Sequence, residues 1–113
     1  MKRANKECIA TGNIFDSLPD STANEVFDLL VENEHIKIER IVSNGHSSPE
    51  SGWYDQNKDE WVLVVKGEAT ISLEDGQSLN LKAGSHLYIP AHTKHKVTWT
   101  TETTETIWIA VHY

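Results

Sequence analysis

The chain has very little cysteine, since Cys8 is the only one among its 113 residues. A lone cysteine cannot form an internal disulfide, and the sequence suggests no histidine and asparagine partners that would make it a catalytic nucleophile. Long apolar runs are also absent. No stretch approaches the length of a membrane span, and the basic first residues are not followed by the apolar segment of a signal peptide. We therefore expect a soluble cytoplasmic protein.

Positive charge is scarce as well: ten Lys and Arg residues stand against seventeen Asp and Glu residues, for a formal net charge of −7. This balance repels phosphate backbones and anionic lipid headgroups, so we expect neither nucleic acid nor a membrane as a partner. The length suits one compact domain and is too short for two ordinary ones. Any function must therefore share a single core.

The first third of the chain predicts an arm and a short helix. Residues 1–12 are polar and lack periodicity, so we interpret them as a flexible arm in front of a single domain at 13–113. Thr22 and Glu25 have the spacing of a capping box. Apolar residues then recur on one helical face, which predicts a short amphipathic helix within residues 21–31.

The rest of the chain has the pattern of short strands separated by turn residues, which is typical of an all-β sandwich or barrel. The predicted strands cover residues 36–41, 60–65, 69–73, 78–81, 86–89, 96–100 and 107–112. An Asp-Gly pair at residues 75–76 predicts a tight hairpin between two of them. Six of these seven runs fall within residues 60–112, which leaves little room for helices there.

Two spaced motifs lie within this β-rich region. Glu60 is followed by six residues and Gly67; further on, Gly84 is followed by five residues and Pro90, and His95 stands five positions after that proline. The segment resembles the cupin superfamily, and the surrounding sequence is similar to a group of small single-domain bacterial cupins. The resemblance implies a double-stranded β-helix, or jelly-roll barrel, with its site inside the barrel around Glu60 and His95. It implies no particular activity, because one fold hosts many chemistries.

The chain departs from the usual cupin pattern at the metal site that the resemblance implies. Gln56 and Tyr54 occupy the two positions where the family motif usually has histidines, and His92 and Trp99 replace a glycine and an asparagine of the second motif. The remaining candidate metal ligands are Gln56, Glu60 and His95. Such an oxygen-rich set suits a borderline or hard divalent ion, so zinc, manganese, iron or nickel are the candidate cofactors.

Strand alternation predicts the lining of a pocket around these ligands. If Glu60 points into the barrel, Val62 points in with it, and the same period brings Trp99 inward with His95. Tyr54, Tyr88 and His92 complete the predicted pocket. We interpret His112, by contrast, as a surface or interface residue. Trp61, Leu63 and Val65 would face away from the barrel interior and need cover, which favours a homodimer.

Three functions remain open at this point. The site could bind a divalent metal and bind or act on a small metabolite, or it could be a metal-free barrel that binds or senses a small molecule without catalysis. Glu60, Gln56 and His95 could also form a buried polar cluster with a structural role. The sequence leaves open whether the protein is an enzyme, and it identifies no substrate.

Overall fold

The computed structural model of the chain describes residues 9–19, 25–48 and 52–113. These ranges contain eight β-strands, so the all-β prediction is confirmed. In them, no helix occurs that is long and apolar enough to cross a membrane. The strands are β1 (Val26–Glu32), β2 (Lys37–Ser43), β3 (Glu60–Lys66), β4 (Glu68–Leu73), β5 (Ser78–Lys82), β6 (His86–Ile89), β7 (His95–Thr100) and β8 (Thr106–His112).

Two antiparallel sheets form the walls of the barrel. One has the strand order β1-β2-β8-β3-β6 and the other β5-β4-β7. The core lies between them and is built from aliphatic side chains with one tryptophan: Val62, Val64, Ala69, Ile71, Leu81, Trp108 and Ala110. Because side chains alternate along a strand, each sheet turns one apolar face to this core.

The predicted strands from residue 60 onward are confirmed to within a residue or two at each end. Their β-branched residues fit a pleated, half-buried surface, and turn residues separate them. The Asp-Gly hairpin is confirmed between β4 and β5, where Gly76 has a φ of 98° and donates its backbone N–H to the carbonyl of Leu73.

The predicted helix at residues 21–31 is wrong wherever the structure describes it, because Val26–Glu32 is strand β1, paired with β2. Residues 21–24 lie outside the described residues. The pairing shifts register between Leu29 and Val31, which marks a β-bulge at Leu30. A bulge changes which face later residues occupy, so apolar residues fall on both faces and imitate a helical period.

Arg40 fixes the chain before β1 to the sheet. Its guanidinium donates to Asp28 Oδ2 from Nε at 3.0 Å and from Nη2 at 2.6 Å, across the β1–β2 pair. Nη1 also donates to the carbonyls of Ile14 and Asp16 at 3.0 and 2.7 Å. Arg40 is 8% exposed, and a buried guanidinium is tolerated only when its donors are paired in this way. Most of the predicted arm, residues 1–8, lies outside the described residues.

Gly67, the glycine of the first motif, allows a close approach between β3 and the start of β8. It has a φ of 91°, and a Cβ there would clash with Thr106 Oγ1 and stand 2.7 Å from the Glu105 carbonyl oxygen. Gly76 has a similar φ of 98° but open space around it.

We predict that Gly67→Ala lowers the free energy of unfolding by about 3 kcal/mol, because the new methyl group meets both a left-handed backbone and fixed backbone atoms. The matched control Gly76→Ala meets only the backbone strain and should cost about 1 kcal/mol. Urea unfolding of both variants measures the difference. Equal losses would show that the approach of β8 is not what requires glycine at position 67.

Candidate functional site

A cavity of about 720 Å³ opens between the two sheets, within the size range of small-molecule sites. Its apolar wall includes Val62, Ile71, Val97 and Trp108. The polar part of the lining is provided by glutamate, histidine, lysine and glutamine side chains, described below. The cavity therefore has the composition common to ligand pockets, in which a few polar groups converge on apolar walls.

Glu60 and His95 meet inside this cavity from opposite sheets. Glu60 is the first residue of β3 and His95 the first of β7, and both side chains are buried. His95 Nε2 lies 3.6 Å from Glu60 Oε1, and Gln56 Nε2 donates to the same oxygen at 2.8 Å. The structure thus brings together Gln56, Glu60 and His95, the three candidate ligands of the sequence analysis.

Two backbone contacts hold the loop that carries Gln56 against the second motif. Tyr54 forms an isolated antiparallel bridge with His95, and its ring centroid lies 5.6 Å from that of His95. The backbone N–H of His92 donates to the Gln56 carbonyl at 2.7 Å. These bonds place Tyr54 on the cavity lining and bring the Gln56 amide within reach of the Glu60 carboxylate.

The orientation of the His95 ring follows from its other nitrogen. Nδ1 lies 2.7 Å from the carbonyl oxygen of Thr93, which only accepts, so Nδ1 carries a proton. In the neutral imidazole, Nε2 would then present a lone pair towards the Glu60 carboxylate, which is also an acceptor. Two acceptors 3.6 Å apart repel unless a cation lies between them. A proton on Nε2 or a metal ion would remove that repulsion.

The protein itself favours the charged form of this pair. Burial raises the pKa of Glu60, but the interactions with His95 and Gln56 together hold it below its ordinary value. Burial lowers the pKa of His95, but Glu60 and the Thr93 carbonyl raise it above its ordinary value. Between the two folded pKa values, both groups are charged. The stability that charged His95 contributes is lost as pH rises through its folded pKa. The stability that charged Glu60 contributes is lost as pH falls through its folded pKa.

A second histidine–carboxylate pair lines the same cavity. His112 Nε2, at the end of β8, lies 3.1 Å from Glu39 Oε1 on β2, and Lys37 Nζ lies 3.6 Å from Glu39 Oε2. His112 is the register partner of Glu60. Where the sequence predicted a surface or interface residue, the structure places His112 on the cavity lining, so its interpretation as a surface residue is wrong. The period-two run Trp108, Ala110, His112 was the signal for its inward direction, since Trp108 and Ala110 are buried in the core.

Three of the predicted pocket residues lie outside the cavity lining, whereas Tyr54 and Val62 are part of it. Tyr88 is 51% exposed, because Ile89 next to it takes the inward position. His92 faces solvent and pairs with Asp55 at 2.9 Å. Its φ of 61° is left-handed, which explains why the family motif has glycine at this position.

Trp99 faces outward because β7 contains a bulge. Ile71 pairs with Val97, whereas the preceding residue of β4, Thr70, pairs with Trp99, so Thr98 is an extra residue. The insertion reverses the alternation that the sequence prediction assumed. Val97 remains on the cavity wall, while Trp99 is 45% exposed on the other face.

Trp108 is a core residue with an unmet hydrogen-bonding group. Its side chain is 3% exposed and lines the cavity, and its indole N–H finds no acceptor among the described residues. Across those residues, no group of three or more His, Cys, Asp and Glu side chains is arranged to hold a metal ion. Within the part of the chain that the structure describes, the Gln56 amide is the further side chain that could join Glu60 and His95 in holding a metal.

We predict that Glu60→Gln lowers the pKa of His95 from above its ordinary value of about 6.5 to below it, because burial would then outweigh the remaining bond to Thr93. A titration of the imidazole followed by NMR in metal-free protein measures the shift. Glu105→Gln, which removes a carboxylate from an exposed ion pair with Lys66, should leave the His95 titration unchanged. An unshifted pKa in Glu60→Gln would mean that the two side chains do not interact in solution.

Comparison with known proteins supports the fold independently. The cupin domain family matches residues 40–112. A solved structure from Ralstonia eutropha JMP134, of a protein proposed to be a mannose-6-phosphate isomerase, is 43% identical with a TM-score of 0.89, and the alignment covers 92% of this chain and 97% of that one. The iron(II) form of HppE has a TM-score of 0.69 at 17% identity, covering 86% of this chain and 54% of that one, which shows the fold alone.

A relative from Methanocaldococcus jannaschii, an uncharacterized protein, is 34% identical over 71 residues. The match covers 62% of this chain but only 59% of that relative's length. The solved structure of an RmlC-like cupin with a double-stranded β-helix fold from the same organism has a TM-score of 0.66 at 25% identity, covering 85% of each chain. The predicted double-stranded β-helix is thus confirmed, and the chain belongs to the cupin family.

Proposed function

We propose that the barrel cavity binds a small metabolite next to a divalent metal ion held by Gln56, Glu60 and His95. The observation that carries this proposal is the contact at 3.6 Å between Glu60 Oε1 and His95 Nε2, with the other imidazole nitrogen already committed to Thr93. A backbone carbonyl that orients a ligating imidazole is the usual outer contact of metal-bound histidine.

The separation of Glu60 and His95 suits two ligands of a single metal ion. Two ligand atoms on the same first-row divalent ion are separated by roughly 3.0–3.5 Å, close to the separation observed between Glu60 and His95. Gln56 would contribute its amide oxygen after a rotation that exchanges the oxygen and nitrogen, which are nearly indistinguishable in shape. With three protein ligands of mixed type, the affinity should be lower than at a three-histidine site, and zinc, manganese, iron and nickel all remain candidates.

A bound ion would act as a Lewis acid that polarises an oxygen of the ligand. The protein's own residues position the ligands of this ion. Thr93 fixes the His95 ring, the loop contacts of Tyr54 and His92 hold Gln56 in place, and the apolar wall forms the surface beside the polar end. The Ralstonia relative makes sugar isomerisation a reaction to test first, although the proposal itself extends only to binding.

A second candidate function rests on the same contacts. A proton on His95 Nε2, together with the amide N–H of Gln56, would satisfy the Glu60 carboxylate without a metal, which would allow a metal-free pocket that binds or senses a small molecule. The two functions differ in one measurable quantity, the metal content of the purified protein.

We predict close to one equivalent of divalent metal per chain in protein purified without a histidine tag or chelator, measured by elemental analysis. The double variant Glu60→Ala, His95→Ala should lose this metal, because only the weak amide ligand remains. His86→Ala is the matched control, since it removes an exposed histidine outside the cavity, and it should keep the metal. An absence of metal in the wild type, even after equilibration with zinc, manganese, iron and nickel, would leave the metal-free function.

We also propose that the protein is a homodimer. Trp61, Leu63 and Val65, the residues that suggested it from the sequence, are half-buried in the single chain. A run of more exposed apolar side chains lies on the edge strand β1, where Phe27, Leu29 and Val31 are 52%, 55% and 57% exposed. An uncovered apolar edge strand readily pairs with another chain.

Light scattering after size exclusion should give about twice the chain mass of 12.8 kDa. We predict that Val31→Lys shifts the mass towards that of one chain, because it places a charge on this edge. Ser78→Lys, on the edge strand β5 of the other sheet, is the control and should not change the mass. A wild-type mass of one chain would refute the dimer.

A further inference from the structure

Glu39 and His112 form a polar pair inside the cavity that the proposed metal site leaves unused. We propose that this pair, beside Glu60 and His95, recognises the hydroxyl groups of an uncharged polyhydroxylated ligand such as a sugar or polyol. The inference rests on the proposed function in one respect: it takes the barrel cavity as the ligand site. It does not require that a metal is bound there.

The two pairs are neighbours on the cavity wall. Glu60 on β3 and His112 on β8 are register partners in an antiparallel ladder, where the Cβ atoms of facing residues are typically about 5 Å apart. Glu39 contacts His112 from the next strand, β2, and His95 contacts Glu60 from the opposite sheet. One small molecule at this end of the cavity can therefore reach both pairs.

The hydrogen-bonding capacity of the pairs matches hydroxyl groups. Each pair offers carboxylate oxygens that accept and an imidazole that donates when its nitrogen is protonated, and a hydroxyl both donates and accepts. An ammonium group of a ligand finds a poorer match at Glu39, because this carboxylate is already contacted by both His112 and Lys37.

The charge of the lining disfavours an anionic ligand. Among the described residues that line the cavity, five glutamates stand against two lysines and two histidines, so the carboxylates outnumber the cationic groups even when both imidazoles are protonated. A low-dielectric cleft concentrates the field of such an excess, so a phosphate or carboxylate group would be repelled. An uncharged sugar should consequently bind better than its own phosphate ester.

Trp108 supplies the apolar part of the same surface. It is two positions along β8 from the small Ala110, which in turn precedes His112 by two, so the three side chains share one face. The part of Trp108 that lines the cavity is apolar, which suits the C–H face of a sugar ring. Apolar and polar contacts for a polyol thus lie on a single strand.

The test is a ligand-observed NMR screen of D-glucose, D-fructose, D-ribose and D-glucitol, each beside its phosphate ester, with metal-loaded and chelator-treated protein. We expect at least one uncharged member to bind, and its phosphate ester to bind at least tenfold more weakly. The proposal is overturned if no uncharged member binds at tens of millimolar, or if the phosphate esters bind more tightly.

Variants then test whether the second pair makes the contact. Glu39→Gln and His112→Gln should each weaken binding of the uncharged ligand by roughly tenfold or more, as expected for loss of a charged hydrogen-bond partner. Glu105→Gln, which removes a carboxylate outside the cavity, should bind like the wild type. Unchanged affinity in both cavity variants would overturn the role of the pair. Melting temperatures identify a variant that fails to fold, in which case the other one decides.

The outcomes separate this inference from the proposed function. Metal content that is normal in Glu39→Gln, together with weakened sugar binding, would support both. Metal in the wild type without binding of any uncharged sugar would support the metal site and overturn this inference. Sugar binding that persists after chelation, in protein that never acquires metal, would support this inference and overturn the metal site.

Discussion

The contact between Glu60 and His95 is the constraint around which the barrel interior is arranged. Charged groups inside a protein cost several kcal/mol each unless they are paired and hydrogen-bonded. The surrounding structure meets that requirement from several directions: Thr93 accepts from the imidazole, Gln56 donates to the carboxylate, and the Tyr54–His95 bridge holds the loop in place. The same groups that make the charges tolerable also define the polar end of the cavity.

The sequence predicted the structure best where residue type and residue spacing indicated the same element. Strands from residue 60 onward could be placed because β-branched runs alternate with turn residues, and the two motifs identified the residues that meet in the cavity. Two of the wrong predictions, the helix at β1 and the inward direction of Trp99, have a common physical origin. A bulge at Leu30 made β1 look helical, and a bulge at Thr98 turned Trp99 outward. An inserted residue leaves no mark on composition, although it reverses every later side chain of its strand.

The Glu39–His112 pair could not be predicted from the sequence, and the reason does not involve a bulge. Glu39 and His112 are 73 residues apart in the chain, and only the pairing of β2 with β8 brings them together. Strand order is a property of the whole fold, whereas periodicity describes one strand at a time. The cupin fold determines which strands are neighbours, whereas the charged residues that line this cavity are specific to this sequence.

The contacts of Arg40 extend the folded domain to residues before the family match. The cupin family match starts at residue 40 itself, yet the guanidinium of that residue depends on acceptors at Ile14, Asp16 and Asp28, all upstream of the match. A shortened chain that started at β2 would leave the Arg40 guanidinium without any of these three acceptors. The segment before the family match is therefore tied to the barrel by this side chain as well as by the β1–β2 ladder.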